Sequence, residues 1–175
     1  MPRVLVDIAR AIVGSPFNTW ATYLLGNVPG LPPIVQTVHI LSVSAVMGSI
    51  VMIDLKVLGL ALRTQRLSEL VRRLMPWTWC ALPFLAASGL VFVFARPMRY
   101  AVNPVFGLKF SMLLPALILT ALFQIGISRE PEFWERSLGR RVLGRVIAGI
   151  SLALWVGVVL AGRWIAYADY LFPPE

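Results

Sequence analysis

The sequence predicts an all-α integral membrane protein, a four-helix bundle preceded by short amphipathic helices at the membrane interface. Three observations carry this expectation. Hydrophobic residues make up 58% of the 175 and the mean hydropathy is +0.79, too apolar for an ordinary soluble domain. The charged residues, 14% of the chain, are bunched between long neutral runs. Four of these runs have about the length that, at ~1.5 Å per residue, crosses a hydrocarbon core ~30 Å thick. Residues 1–32 are therefore expected to form an N-terminal interfacial segment and residues 33–170 a transmembrane domain, with spans at about 33–62, 74–95, 104–128 and 146–166.

In RVLVDIARAIV, Arg3, Asp7 and Arg10 share one helical face and Val4, Leu5, Ile8 and Ile12 cover most of the rest. That is an amphipathic helix too short to span. Interrupted by Asp7, Arg10 and Pro16, this stretch does not read as a cleaved signal peptide. Ser15-Pro16 reads as an N-cap and first-turn proline opening a second short helix, with Phe17, Trp20 and Leu24 on one face. GNVPGLPP then turns the chain into the first span.

The first span starts at PPIVQTVHILSV, and Ile34 to Ile53 contains no Asp, Glu, Lys or Arg. It carries the only histidine, His39, and ends at Asp54 and Lys56. In the connection that follows, Arg63, Arg66, Arg72 and Arg73 alternate with Leu67, Leu70, Val71 and Leu74, which suggests a separate short amphipathic helix. The second span, Leu74 to Ala95, has Trp77 and Trp79 at its entry and a bend expected at Pro83. Asn103-Pro104 caps the third span, which holds Lys109 near its start and Gln124 deep inside. REPEFWERSLGRRVLGR is the most polar segment and is expected to be solvated or surface-lying. In the fourth span Gly149, Ala153, Gly157 and Ala161 recur every four residues, a spacing that lets helix backbones approach closely.

The net charge is +8, and arginine supplies 14 of the 16 basic residues. Because they flank apolar runs, topology signals and lipid headgroups explain them better than nucleic acid. Ten lie in the first-to-second and third-to-fourth connections, against six elsewhere. The positive-inside rule then makes those connections cytoplasmic and places both termini outside, periplasmic in a cell with two membranes. One cysteine, Cys80, and one histidine exclude an intrachain zinc or iron–sulfur site of ordinary ligation. There is no phosphate loop, HExxH motif or Ser-His-Asp set, so an enzyme is the less favoured reading.

This topology puts His39 and Lys109 at similar depth on the outer side, with Arg163 and Arg96 at the nearby boundary. An ionisable group inside a span is by default a functional candidate, although Lys and Arg near a boundary can snorkel. Gln36 and Asp54 lie within about 60° of His39 around the helix, and Ser42 at a similar angle on the other flank. One reading is a neutral histidine satisfied by a serine or carbonyl. The sharper one is a haem-iron ligand or a quinone partner, with His39, Lys109, Arg163 and Arg96 as the cofactor-binding set and His39 as the metal ligand if haem b is bound. Haem would need a second axial ligand, and the candidates are Met112 within the chain and His39 of a second copy. On the inner side lie Asp54, Lys56 and Gln124, where Asp54 is expected to pair with an arginine of the adjoining connection and Gln124 to hydrogen-bond another helix.

QTVHILSVSAVMGSIVMIDLKVLGLALR, LMPWTW with a later SGL, NPVFGLKF and AGRWIAY, in this order, resemble a family of small bacterial inner-membrane proteins known only as a domain of unknown function. The resemblance implies a four-helix inner-membrane protein with His39, Asp54, Pro76 to Trp79, Lys109 and Arg163 at motif positions. It implies no activity. A looser likeness is to HemJ-type protoporphyrinogen oxidases, which also carry a His early in one span and a Lys early in a later one, although their longer histidine-containing pattern is missing here. The expected function is a non-enzymatic subunit or accessory protein of a bacterial membrane assembly, in contact with lipid and with other membrane subunits or copies of itself. The alternative is a b-haem, porphyrin or quinone protein using His39, and the third reading an oligomeric small-solute carrier.

Overall fold

The structure is a computed structural model and describes residues 2–134 and 136–167; the expected domain end at residue 170 lies outside them. Among these residues seven α-helices follow in order: α1 (Pro2–Ile12), α2 (Pro16–Asn27), α3 (Leu31–Leu58), α4 (Leu67–Ala95), α5 (Pro97–Ala101), α6 (Pro104–Arg129) and α7 (Leu138–Trp164), followed by a 3₁₀ turn at Ile165–Tyr167. Among the described residues there is no strand. Helices α3, α4, α6 and α7 are long and apolar enough to cross a membrane.

Local chemistry sets the helix ends. Ser15 and Asn103 cap α2 and α6, accepting from the amides of Asn18 and Val105, and each is followed by a first-turn proline. Gly30 and Gly59 take left-handed φ values of 82° and 79° on either side of α3, which a side chain would oppose. The first long helix therefore stops at Leu58, short of the expected 62. Helix α4 starts seven residues before the charge-free run, so the short amphipathic helix expected in that connection is its first two turns. The reason is periodicity: Leu67, Leu70, Val71 and Met75 form a continuous buried stripe, and Arg72 and Arg73 point outward.

Helix α3 packs along α4 and α7, α6 packs along α7, and α4 and α6 touch more lightly to close the ring. Helices α1 and α2 lie across one end, hereafter the outer end, against α5 and α4. There Asn18 Nδ2 donates to the Phe94 carbonyl at 2.7 Å and Phe17 stacks on Phe94 at 5.8 Å. The inner end is closed by Trp134, in the segment expected to be solvated. Trp134 is buried, stacks on Phe123 at 5.0 Å, and would lie 3.2–3.3 Å from a Cβ at Gly126 or Gly144. Glycines on both neighbouring helices thus make the slot that takes an indole out of an otherwise charged loop.

The apolar core is dense at the inner end (Ile53, Leu70, Met75, Phe123, Trp134) and at mid-depth (Val46, Ile50, Ala116, Trp155). Towards the outer end it thins to Val105 and Ala161. The two unusual bases of the sequence sit in that thinner region.

Candidate functional site

All four long helices contribute to the outer layer. His39 of α3 is half-buried, and its Nδ1 lies 2.9 Å from Ser88 Oγ of α4. The Ser88 hydroxyl donates back to the Phe84 carbonyl at 2.6 Å. A hydroxyl has one proton, so when Ser88 donates to Phe84 it accepts from Nδ1–H of a neutral His39. Nε2 then keeps its lone pair. Gly89 borders the imidazole: a Cβ there would lie 3.5 Å from His39 Cε1, an ordinary contact.

Lys109 reaches in from α6, diagonal to α3 in the bundle, and is near enough to His39 for their charges to interact. A Cβ at Gly162 of α7 would lie 3.5 Å from Lys109 Nζ, so a second glycine borders the second base. Among the described residues no carboxylate pairs with Lys109. The layer therefore holds a histidine ring and a lysine with no carboxylate partner among the described residues, within helices of membrane-spanning length.

The other basic residues expected here lie at the rim. Arg163 is exposed and its guanidinium sits over Tyr167 at 5.7 Å. Arg96, at the α4–α5 junction, is exposed too. Met112, the candidate second axial ligand, turns to α7, where its Sδ would meet a Cβ at Gly157 at 2.8 Å. A six-coordinate haem held by His39 and Met112 of one chain does not fit that packing.

The four-residue repeat of small residues divides between two faces. Gly157 and Ala161 face α6, whereas Ala153 is exposed and a Cβ at Gly149 would meet nothing within 4 Å. A step of four residues advances ~40° around a helix, so such a stripe drifts off the contact. The buried line of α7 is instead Gly144, Ala148, Ser151, Trp155, Val158 and Ala161.

On the inner side, Asp54 does not pair with an arginine. It is buried, shares a small cavity with Ser151 of α7, and its Oδ2 has no partner among the described residues. Its register explains the difference: Asp54 falls beside the buried Ile50 and Ile53 and points between helices, away from the connection. Lys56 closes the connection instead, donating from Nζ to the Arg63 carbonyl at 3.1 Å. Gln124 accepts from Trp79 Nε1 across α4 and α6.

Ser88 and Gly89 fall in the SGL motif and Gly162 in AGRWIAY, but the sequence gives none of them a site role. Their signal is weak because small residues are common wherever spans pack, and only the register between helices places them against His39 and Lys109.

Residues 21–168 match a family described as a family of unknown function, DUF6644. No curated protein and no solved structure matches the chain significantly.

Proposed function

The chain belongs to that family, DUF6644, and from this premise we propose that it is a non-enzymatic accessory protein of the bacterial inner membrane that binds an anionic or electron-rich ligand head at the His39–Lys109 layer. The observation that carries the reading is a ring held by Ser88 in the same layer as a lysine that has no carboxylate partner among the described residues. Nε2 accepts from a hydroxyl or ligates a metal, and the Lys109 ammonium donates to a carbonyl or carboxylate. A quinone–quinol headgroup or a porphyrin carboxylate presents such groups at this depth. Arg163 and Arg96, at the rim, supply field rather than contact.

The positive-inside count supports an orientation with this layer on the periplasmic side. The apolar outward faces of the long helices support contact with lipid and with other membrane subunits. Gentle purification followed by an absorption spectrum and solvent extraction tests the reading. A bound quinone or porphyrin supports it, and a preparation that carries neither and takes up neither when they are added contradicts it.

A further inference from the structure

Asp54 lies on α3 fifteen residues beyond His39, ~22 Å away along the helix, and belongs to a different place in the bundle. It lines a small cavity of about 10 Å³, room for one water-sized species, together with Ile53, Met75, Thr120, Phe123 and Ser151. Asp54 is only 6% exposed, and Oδ2 is buried without a protein partner. The facing oxygens are the Ser151 hydroxyl and Thr120 Oγ1, which already accepts from Trp155 Nε1 at 3.1 Å. No Lys, Arg or His lines the cavity from α3, α4, α6 or α7. A single carboxylate in such surroundings is costly as a bare anion, and one positive charge makes the contents neutral. A divalent ion would leave an uncompensated charge among Ile53, Met75 and Phe123.

We propose that Asp54, with Ser151 and Thr120, forms an occluded site for one monovalent cation, a proton or an alkali-metal ion. The two share one chemistry, a single positive charge on the Asp54 carboxyl supported by hydroxyl oxygens. This site stands independently of any ligand at His39.

The purified full chain in detergent distinguishes the two cations. If the cation is a proton, the infrared spectrum contains a protonated-carboxyl band that Asp54→Asn removes. If it is an alkali ion, replacing choline by sodium at constant ionic strength raises the melting temperature of the parent protein and leaves D54N unchanged. An Asp54 that is ionised by infrared, with a melting temperature indifferent to sodium, overturns the proposal. Should D54N fail to fold, Ser151→Ala replaces it. Loss of that hydroxyl shifts the carboxyl band or weakens the sodium midpoint several-fold, and no change in either overturns the site.

Discussion

His39 Nδ1 and Ser88 Oγ lie 2.9 Å apart, and the Ser88 proton is already committed to the Phe84 carbonyl. One serine therefore sets both the ring's orientation and its tautomer. Ser88→Ala should cost about 1 kcal/mol of stability through the lost bond. It should also weaken ligand binding at Nε2, because the ring is then free to turn. Thermal unfolding and ligand titration of the same preparation check both effects, and unchanged binding with reduced stability would make the bond purely structural.

Gly89 should tolerate alanine and reject valine. The alanine Cβ would meet His39 Cε1 at 3.5 Å, an ordinary contact, whereas valine methyls would reach into the ring. Overpacking of this kind typically costs about 1–3 kcal/mol. Comparing G89A with G89V by unfolding in detergent tests the placement of the imidazole, and equal melting temperatures would mean the ring lies elsewhere.

Gly157→Leu and Gly149→Leu should separate the two faces of α7. The first drives a side chain into Met112, 2.8 Å from the new Cβ, and should cost about 1–3 kcal/mol. The second meets nothing within 4 Å and should be close to neutral. If both lose equal stability, Gly149 packs on something beyond this chain.

Trp134→Ala should destabilise the inner end by about 3–5 kcal/mol, since it empties the slot between Gly126 and Gly144. A loss of a few tenths, measured by unfolding in detergent, would return Trp134 to the solvated loop that its charged neighbours suggest.

The fold was legible because charge-free runs of span length admit few alternatives. The start of α4 was not, because Arg72 and Arg73 interrupt the hydropathy while the stripe Leu67, Leu70, Val71, Met75 continues beneath them. Period, not charge, decides where that helix begins. Trp134 was hidden for the converse reason: its signal lies in two distant glycines rather than in its own segment. At the site, His39 and Lys109 stand out as the ionisable residues well inside the spans' outer halves. Ser88, Gly89 and Gly162 are chemically ordinary for membrane helices, and the turning of Asp54 away from the arginines depends on helix rotation that composition does not encode.

The most direct measurement is the ligand content of matched preparations of the parent protein, His39→Ala and Lys109→Gln, by absorption and solvent extraction, with melting temperature recorded alongside. The predicted result is a bound quinone or porphyrin in the parent, none in H39A at a melting temperature lowered about as much as in S88A, and a reduced amount in K109Q. Ligand retained in full by H39A would contradict the account. So would a parent that carries no ligand and takes up none when quinone or porphyrin is added, the mark of a histidine that only satisfies Ser88.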